Sequence, residues 1–299
     1  MKAIVTIPPH APFIWEVLQH PSVEGIRLNT VMPVKGSLED LLKRLDNESK
    51  DKSKELWIDL KCRQLRVVGY WVPPYTEVRL SHNLQVNTPV TAYFGGGREP
   101  ATVLEVDGDR LIMQEGPSRV VGPGESINII SPTLSIDGYL TETDKRYIES
   151  GIKVGANNYM LSYVEQPEDV QVLSHYVGDA NIVAKIESRK GLDYVKNEWK
   201  GSPRLMAARG DLFVEVRKPH EIIAAVELIA KKDPQAIAAS RIFTSLATSL
   251  EPSCEDIGDV DNLMRIGYRH FMFGDDICMR RDSIISGLNL FQAIAEKYV

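Results

Sequence analysis

Short apolar runs that end in charge recur along this chain. Ile182-Val183-Ala184 runs into Lys185-Ile186-Glu187, and Leu205-Met206-Ala207-Ala208 runs into Arg209-Gly210-Asp211. A run with no polar alternation, too short for an independent helix, suits a strand buried on both faces. The charges then fall at the strand's carboxyl end, where side chains converge on a ligand in an α/β barrel. Lys185 and Glu187 stand two apart, so they point the same way from an extended backbone, and Asp211 arrives at the same rim from the next strand.

The same pattern predicts eight strands: Lys2–Ile7, which Pro8-Pro9 prevents from continuing as a helix, then Gly25–Asn29, Leu56–Leu60, Asn158–Tyr163, Ile182–Ile186, Arg204–Ala208, Ala236–Ala239 and His270–Phe273. Helices are expected between them. One opens at Ser37, with Leu38, Leu41, Leu42 and Leu45 on one face; another runs from a Thr141 cap to Gly155; others cover Pro12–His20, a start near Asp169, Pro219–Lys231, Asp259–Ile266 and Ser283–Tyr298. Strand and helix alternating in this way predict a parallel (β/α)8 barrel, a TIM barrel of the α/β class.

Residues 67–131 have a different texture. Val90–Phe94 is followed by Gly95-Gly96-Gly97, and Thr102–Val106 by Asp107-Gly108, an Asp-Gly turn between two β-prone runs. This segment is expected to be a small all-β domain inserted after strand three, leaving 1–66 and 132–299 as the barrel.

Composition narrows the partners. With 43% hydrophobic and 25% charged residues and a formal net charge of −6, the chain has no basic footprint for nucleic acid or an anionic membrane. Cys62, Cys254 and Cys278 are too few and too far apart for a disulfide framework or a Cys-x-x-Cys metal site. No leader pattern and no apolar run of about 20 residues occur, so a cytoplasmic protein is expected. There is no H-E-x-x-H pair, no G-x-S-x-G elbow and no Walker loop.

A lysine between two carboxylates suits a divalent cation and an anionic substrate, because the carboxylates hold the metal while the ammonium balances charge developing on oxygen. A structural ion-pair cluster at the barrel rim is the other reading of the same residues.

The segments AKIES-x-x-G and MAARGDLFVEV resemble the AKIE-x-x-x-G and MVARGDLGVEI segments of the pyruvate kinase family. Arg27-Leu28-Asn29 resembles that family's RLN, Asp59-Leu60-Lys61 through Arg66 its DTKGPEIR, and Leu140–Asp144 its LTEKD, all in the family's order. The resemblance implies a phosphotransferase that moves a phosphoryl group between phosphoenolpyruvate and a nucleoside diphosphate through a metal-stabilised enolate of pyruvate. It implies catalytic roles for Lys185 and Arg27, with Ser240 where the family has a threonine near the enolate face. Glu187 and Asp211 would bind Mg²⁺ or Mn²⁺. The turn Ala208-Arg209-Gly210 would seat the substrate carboxylate on backbone amides, with Arg66 a further active-site arginine.

The chain also departs from the family pattern. RLNFSHG becomes Arg27-Leu28-Asn29-Thr30-Val31-Met32-Pro33, Gln64 replaces a glutamate, and Gly274-Asp275-Asp276 replaces a serine-glycine-glutamate end. Asn29, Asp59 and the backbone carbonyl of Leu60 are what remain of the family's potassium site. The family's carboxyl-terminal regulatory domain has no counterpart before Val299, so its effector site is expected to be absent; a homo-oligomer is open, but the family's tetramer is not expected. Two other functions stay open: a metal-dependent 2-oxo-acid lyase or aldolase using the same enolate site, and a non-catalytic relative that binds a metabolite.

Overall fold

In a computed structural model, which describes residues 1–298, eight parallel strands close into a barrel. They are β1 (Lys2–Thr6), β2 (Val23–Asn29), β3 (Glu55–Leu60), β4 (Asn158–Leu161), β5 (Asn181–Ile186), β6 (Arg204–Ala208), β7 (Ile237–Ala239) and β8 (His270–Phe273). Each pairs with the next, and β8 closes the ring onto β1 in a register that sets Lys2 beside His270. Val299, the last residue of the expected second barrel segment, lies outside the described residues.

Ile4, Trp57, Met160, Val183, Met206, Ile237 and Met272 form the buried cluster inside the barrel. Because side chains alternate along a strand, Val183 facing inward sends Lys185 inward as well, and Trp57 does the same for Asp59. The barrel therefore has an apolar floor and an ionic layer above it. A Cβ on Gly25 would meet the Glu55 carbonyl oxygen at 2.7 Å and Trp57 Cδ1 at 3.2 Å, so only glycine lets β2 approach the indole this closely. On the outer faces, Leu161, Ile186, Leu205 and Phe271 are fully buried under the helices. Each such side chain contributes about 1.5–3 kcal/mol.

The helices start where the sequence offers caps. Ser37 accepts from the Asp40 N–H ahead of helix Leu38–Lys50, and Thr141 and Asp144 form a reciprocal capping box at Glu142–Val154, which ends on Gly155 at φ 74°. Two differences from expectation have the same cause. A helix over Arg189–Asn197, not read from the sequence, is capped by Ser188, and the helix expected from Asp259 begins at Cys254, where Ser253 accepts from the Asp256 N–H. In both cases a serine cap captured a backbone donor upstream of the apolar stripe. Strand β4 ends two residues short of the expected Tyr163, which turns to φ 51°.

Between β3 and β4 lies an all-β unit of five strands, in the order Glu77–Arg79, Arg110–Met113, Glu99–Asp107, Val90–Phe94, Asn128–Ile129. The glycine turn links Phe94 to its antiparallel partner Glu99, and the Asp-Gly turn links Asp107 to Arg110. Leu84–Gln85 pairs separately with Ser135–Ile136 and ties the exit segment back to the unit. Its core, which includes Val78, Phe94, Val103 and Leu111, is separate from that of the barrel. None of the described helices is long and apolar enough to cross a membrane.

Candidate active site

At the carboxyl end of the barrel a cavity of about 1150 Å³ opens between the strand ends and the inserted unit. Arg27, Asn29, Lys61, Gln64, Arg66, Lys185, Glu187, Gly210, Asp211 and Ser240 all line it. Lys185, on β5, is 5% exposed; its Nζ lies 3.2 Å from Asp59 Oδ1 and 3.3 Å from Glu187 Oε1 and donates to Ser162 Oγ at 2.8 Å. Burial alone would lower the Lys185 pKa, but Asp59 and Glu187 outweigh it and hold the ammonium above its ordinary value.

Glu187, two residues on, accepts at 2.9 Å from the N–H of Tyr163, which stands at φ 51°. Its pKa is raised, first by burial and then by Asp211, against the opposing pull of Lys185. Asp211 lies in the first turn of helix Arg209–Glu215. Gln64 Nε2 donates to its Oδ2 at 2.8 Å, and Asn128 Nδ2, from the inserted unit, donates to its Oδ1 at 3.1 Å. Gln64 is itself held by Arg66, whose Nε donates to Gln64 Oε1 at 3.1 Å. Another Arg66 nitrogen donates to the Gly124 carbonyl, so this arginine ties the barrel rim to the inserted unit. Burial is the main cause that lowers the Arg66 pKa.

The opposite wall centres on Asp59, which is fully buried. Arg27 Nε donates to its Oδ2 at 2.8 Å, with a second bond from the Arg27 terminal nitrogen; Lys61 Nζ donates to the same oxygen at 2.7 Å, and Lys185 takes Oδ1. Burial would raise the Asp59 pKa, but Arg27, Lys185 and Lys61 together hold it well below the carboxylate range. Lys61 itself is lowered to about 7, by burial first and by the neighbouring cations Lys185, Arg27 and Arg66 against Asp59. Asp144 positions Lys61: its carboxylate accepts from the Lys61 and Cys62 N–H groups at 2.8 and 2.9 Å besides closing the capping box.

The turn after β6 is divided in its use. The Arg209 side chain faces away from the cavity centre, donating to Asp259 at 2.8 Å and to the Ser240 and Arg241 carbonyls at 2.8 and 3.0 Å, so it braces the β7 end. Ala208 is buried at the barrel top. Gly210 packs on Ser240, where an added Cβ would lie 3.5 Å from the hydroxyl. Ser240 holds φ 65° at the end of β7.

The family model for the pyruvate kinase barrel domain matches residues 81–276. The chain belongs to the pyruvate kinase family. It is 33% identical to a pyruvate kinase of Thermoplasma acidophilum over 152 residues, covering 48% of this chain and 26% of that protein. It is 26% identical to the pyruvate kinase of Borreliella burgdorferi and 23% identical to that of Methanocaldococcus jannaschii, covering 94% and 92% of this chain and 64% and 65% of those proteins. The chain thus spans less than two-thirds of the length of these curated relatives.

Pyruvate kinases as a family use a divalent metal, and the donors here fit one. Glu187 and Asp211 are hard oxygen donors oriented by amides, with the Lys185 ammonium 3.3 Å from Glu187. Among the described residues no group of three or more His, Cys, Asp or Glu converges on one point. Two carboxylates with substrate oxygens completing the shell are the usual arrangement for Mg²⁺. Potassium fits poorly. Asp59 is taken by three cations, the Leu60 carbonyl accepts from Ser162 Oγ at 2.8 Å, and Asn29 Nδ2 donates to Asp275 at 2.8 Å. The sequence reading missed Ser162, Tyr163, Asn128 and the contacts of Asp275. Of these only Asp275 left a signal, as a carboxylate in place of a glycine.

Proposed function

We propose that the chain is a metal-dependent phosphotransferase acting between phosphoenolpyruvate and a nucleoside diphosphate, with Lys185 as the group that meets the moving phosphoryl. The observation that carries this reading is a buried ammonium standing between two carboxylates, 3.2 and 3.3 Å away, on the wall shared with Asp211. A bound Mg²⁺ or Mn²⁺, held by Glu187 and Asp211, would supply Lewis-acid stabilisation of the oxygens that gain charge. Lys185, itself 5% exposed, would offset charge on the phosphoryl group as its bond to the enolate oxygen breaks. The 208–211 turn would seat the carboxylate, and Ser240 would stand at the face of the enolate. No step is assigned to potassium.

The test is pyruvate release from phosphoenolpyruvate with Mg²⁺ or Mn²⁺, with and without ADP or GDP, and with potassium exchanged for tetramethylammonium. Release that needs metal and nucleotide and changes less than about twofold with the monovalent ion supports the proposal. One observation favours the lyase alternative: Arg27 and Asn29 already donate to Asp275. Metal-dependent binding of oxalate without any pyruvate release would move the assignment there.

A further inference from the structure

The donors of Arg27 can be followed one by one. Its Nε and one terminal nitrogen go to Asp59, and the other terminal nitrogen serves Thr6 Oγ1 at 2.9 Å and Asp275 Oδ1 at 3.0 Å. A guanidinium has five N–H groups, so almost all of this one is committed. The second oxygen of Asp275 takes Asn29 Nδ2 at 2.8 Å. Asp275 therefore spans a buried arginine and a buried amide with its two oxygens, as two oxygens of a phosphoryl group would span them.

The partners differ in how firmly they are placed. Arg27 and Asn29 are 5% and 3% exposed, whereas the Asp275 side chain is half exposed. Asp275 opens the short helix Asp275–Cys278, and its carboxylate, though held by both donors, borders solvent. The motif that this segment resembles has glycine at this position. The cavity is also lined by Arg98, Arg189, Arg217 and Arg241, so what a phosphoryl ligand meets at this wall is not a general shortage of positive charge but two donors, Arg27 and Asn29, that Asp275 already holds.

We infer that Asp275 determines which anions the cavity accepts: it occupies the Arg27 and Asn29 donors, so a phosphoryl ligand must displace it, whereas a ligand bearing only carboxylates binds at the metal wall without that cost. The inference rests on reading the cavity as an enolate site, but its test needs no turnover. Inorganic phosphate and oxalate are titrated separately into the full chain in the presence of Mg²⁺, for the parent, Asp275→Asn and Asp275→Gly. Asparagine keeps the shape and glycine removes the group, and a thermal melt checks that each variant folds.

Phosphate is expected to bind roughly tenfold more tightly, or better, in both variants, because a like charge at contact distance has gone. Oxalate is expected to stay within about twofold, since its two oxygens chelate the cation on the far wall. Unchanged phosphate affinity in both folded variants overturns the inference, and so does equal tightening of oxalate. Tightened phosphate binding in a chain that releases no pyruvate from phosphoenolpyruvate would retain Asp275 as the selector and remove the kinase assignment.

Discussion

On the wall built by β5 and β6, Glu187 and Asp211 accept hydrogen bonds from neutral donors, a backbone amide, Gln64 and Asn128, with the Lys185 ammonium 3.3 Å from Glu187. On the wall built by β2, β3 and β8, Arg27, Lys61, Asp59 and Asp275 are oriented by one another. Both walls are buried and both carry charge, but an amide aims a carboxylate without cancelling it, whereas an ion pair cancels what it aims. The first wall therefore sets two carboxylates against one ammonium, Lys185, which it shares with Asp59, and can take a cation, while the second is nearly self-sufficient. Residue type alone does not report whether a charged group is available to a ligand; its partners do.

The largest effect that would sharpen this contrast is at Lys185, which belongs to both walls. Lys185→Met should lower the rate of pyruvate release by about 10³-fold or more while the melt stays cooperative, because Asp59 keeps Arg27 and Lys61. Loss of cooperative unfolding would make Lys185 a structural hub instead. Next, Glu187→Gln should weaken Mn²⁺ binding at least about a hundredfold by titration calorimetry, whereas Asp275→Asn on the far wall should leave it within about twofold. Equal weakening by both would erase the distinction between the walls. Gln64→Leu, which removes an orienting amide but no charge, should cost about tenfold in Mn²⁺ affinity, and no change there would mean that Asp211 does not need its amide.

The smallest effect concerns Glu215, whose pKa is pushed up from 4.5 to about 7, mainly by burial and further by Glu165 and Asp211. The folded chain keeps a proton that the unfolded chain has lost between these values, so stability falls as pH rises through that window. Glu215→Gln does not titrate. It should raise the melting temperature by about 2–4 °C at pH 8 and leave it unchanged at pH 4, measured without added metal. A variant no more stable than the parent at pH 8 would place Glu215 in contact with water.

Much of this was legible in the chain itself. Val183, Lys185 and Glu187 could be aligned on one face because strand side chains repeat every two residues, and the glycine and Asp-Gly turns marked both hairpins of the inserted unit. What escaped were contacts that only closure of the barrel creates. Asp275 meets Arg27 across 248 positions and Asn128 meets Asp211 across 83, and no local pattern encodes such a meeting. Side-chain direction at a strand-to-helix junction escaped too: Arg209 sits in the expected turn, yet its guanidinium braces the Ser240 and Arg241 carbonyls. Helix Arg189–Asn197 escaped as well, although Ser188, which accepts from the Gly191 N–H, is a cap residue by type.

Asp59 also constrains how this cavity could evolve. Three cations share one fully buried carboxylate, so any first substitution at Asp59 takes a partner from all of them at once, leaving Arg27 with Asp275 and Lys185 with Glu187, and no single exchange there is a small step. A tolerated path has to begin with a partner, and Lys61, lowered to about 7, is the one nearest to giving up its charge. Lineages that rework this wall should therefore change Lys61 first and Asp59 last, an ordering that reconstruction of ancestral sequences can check.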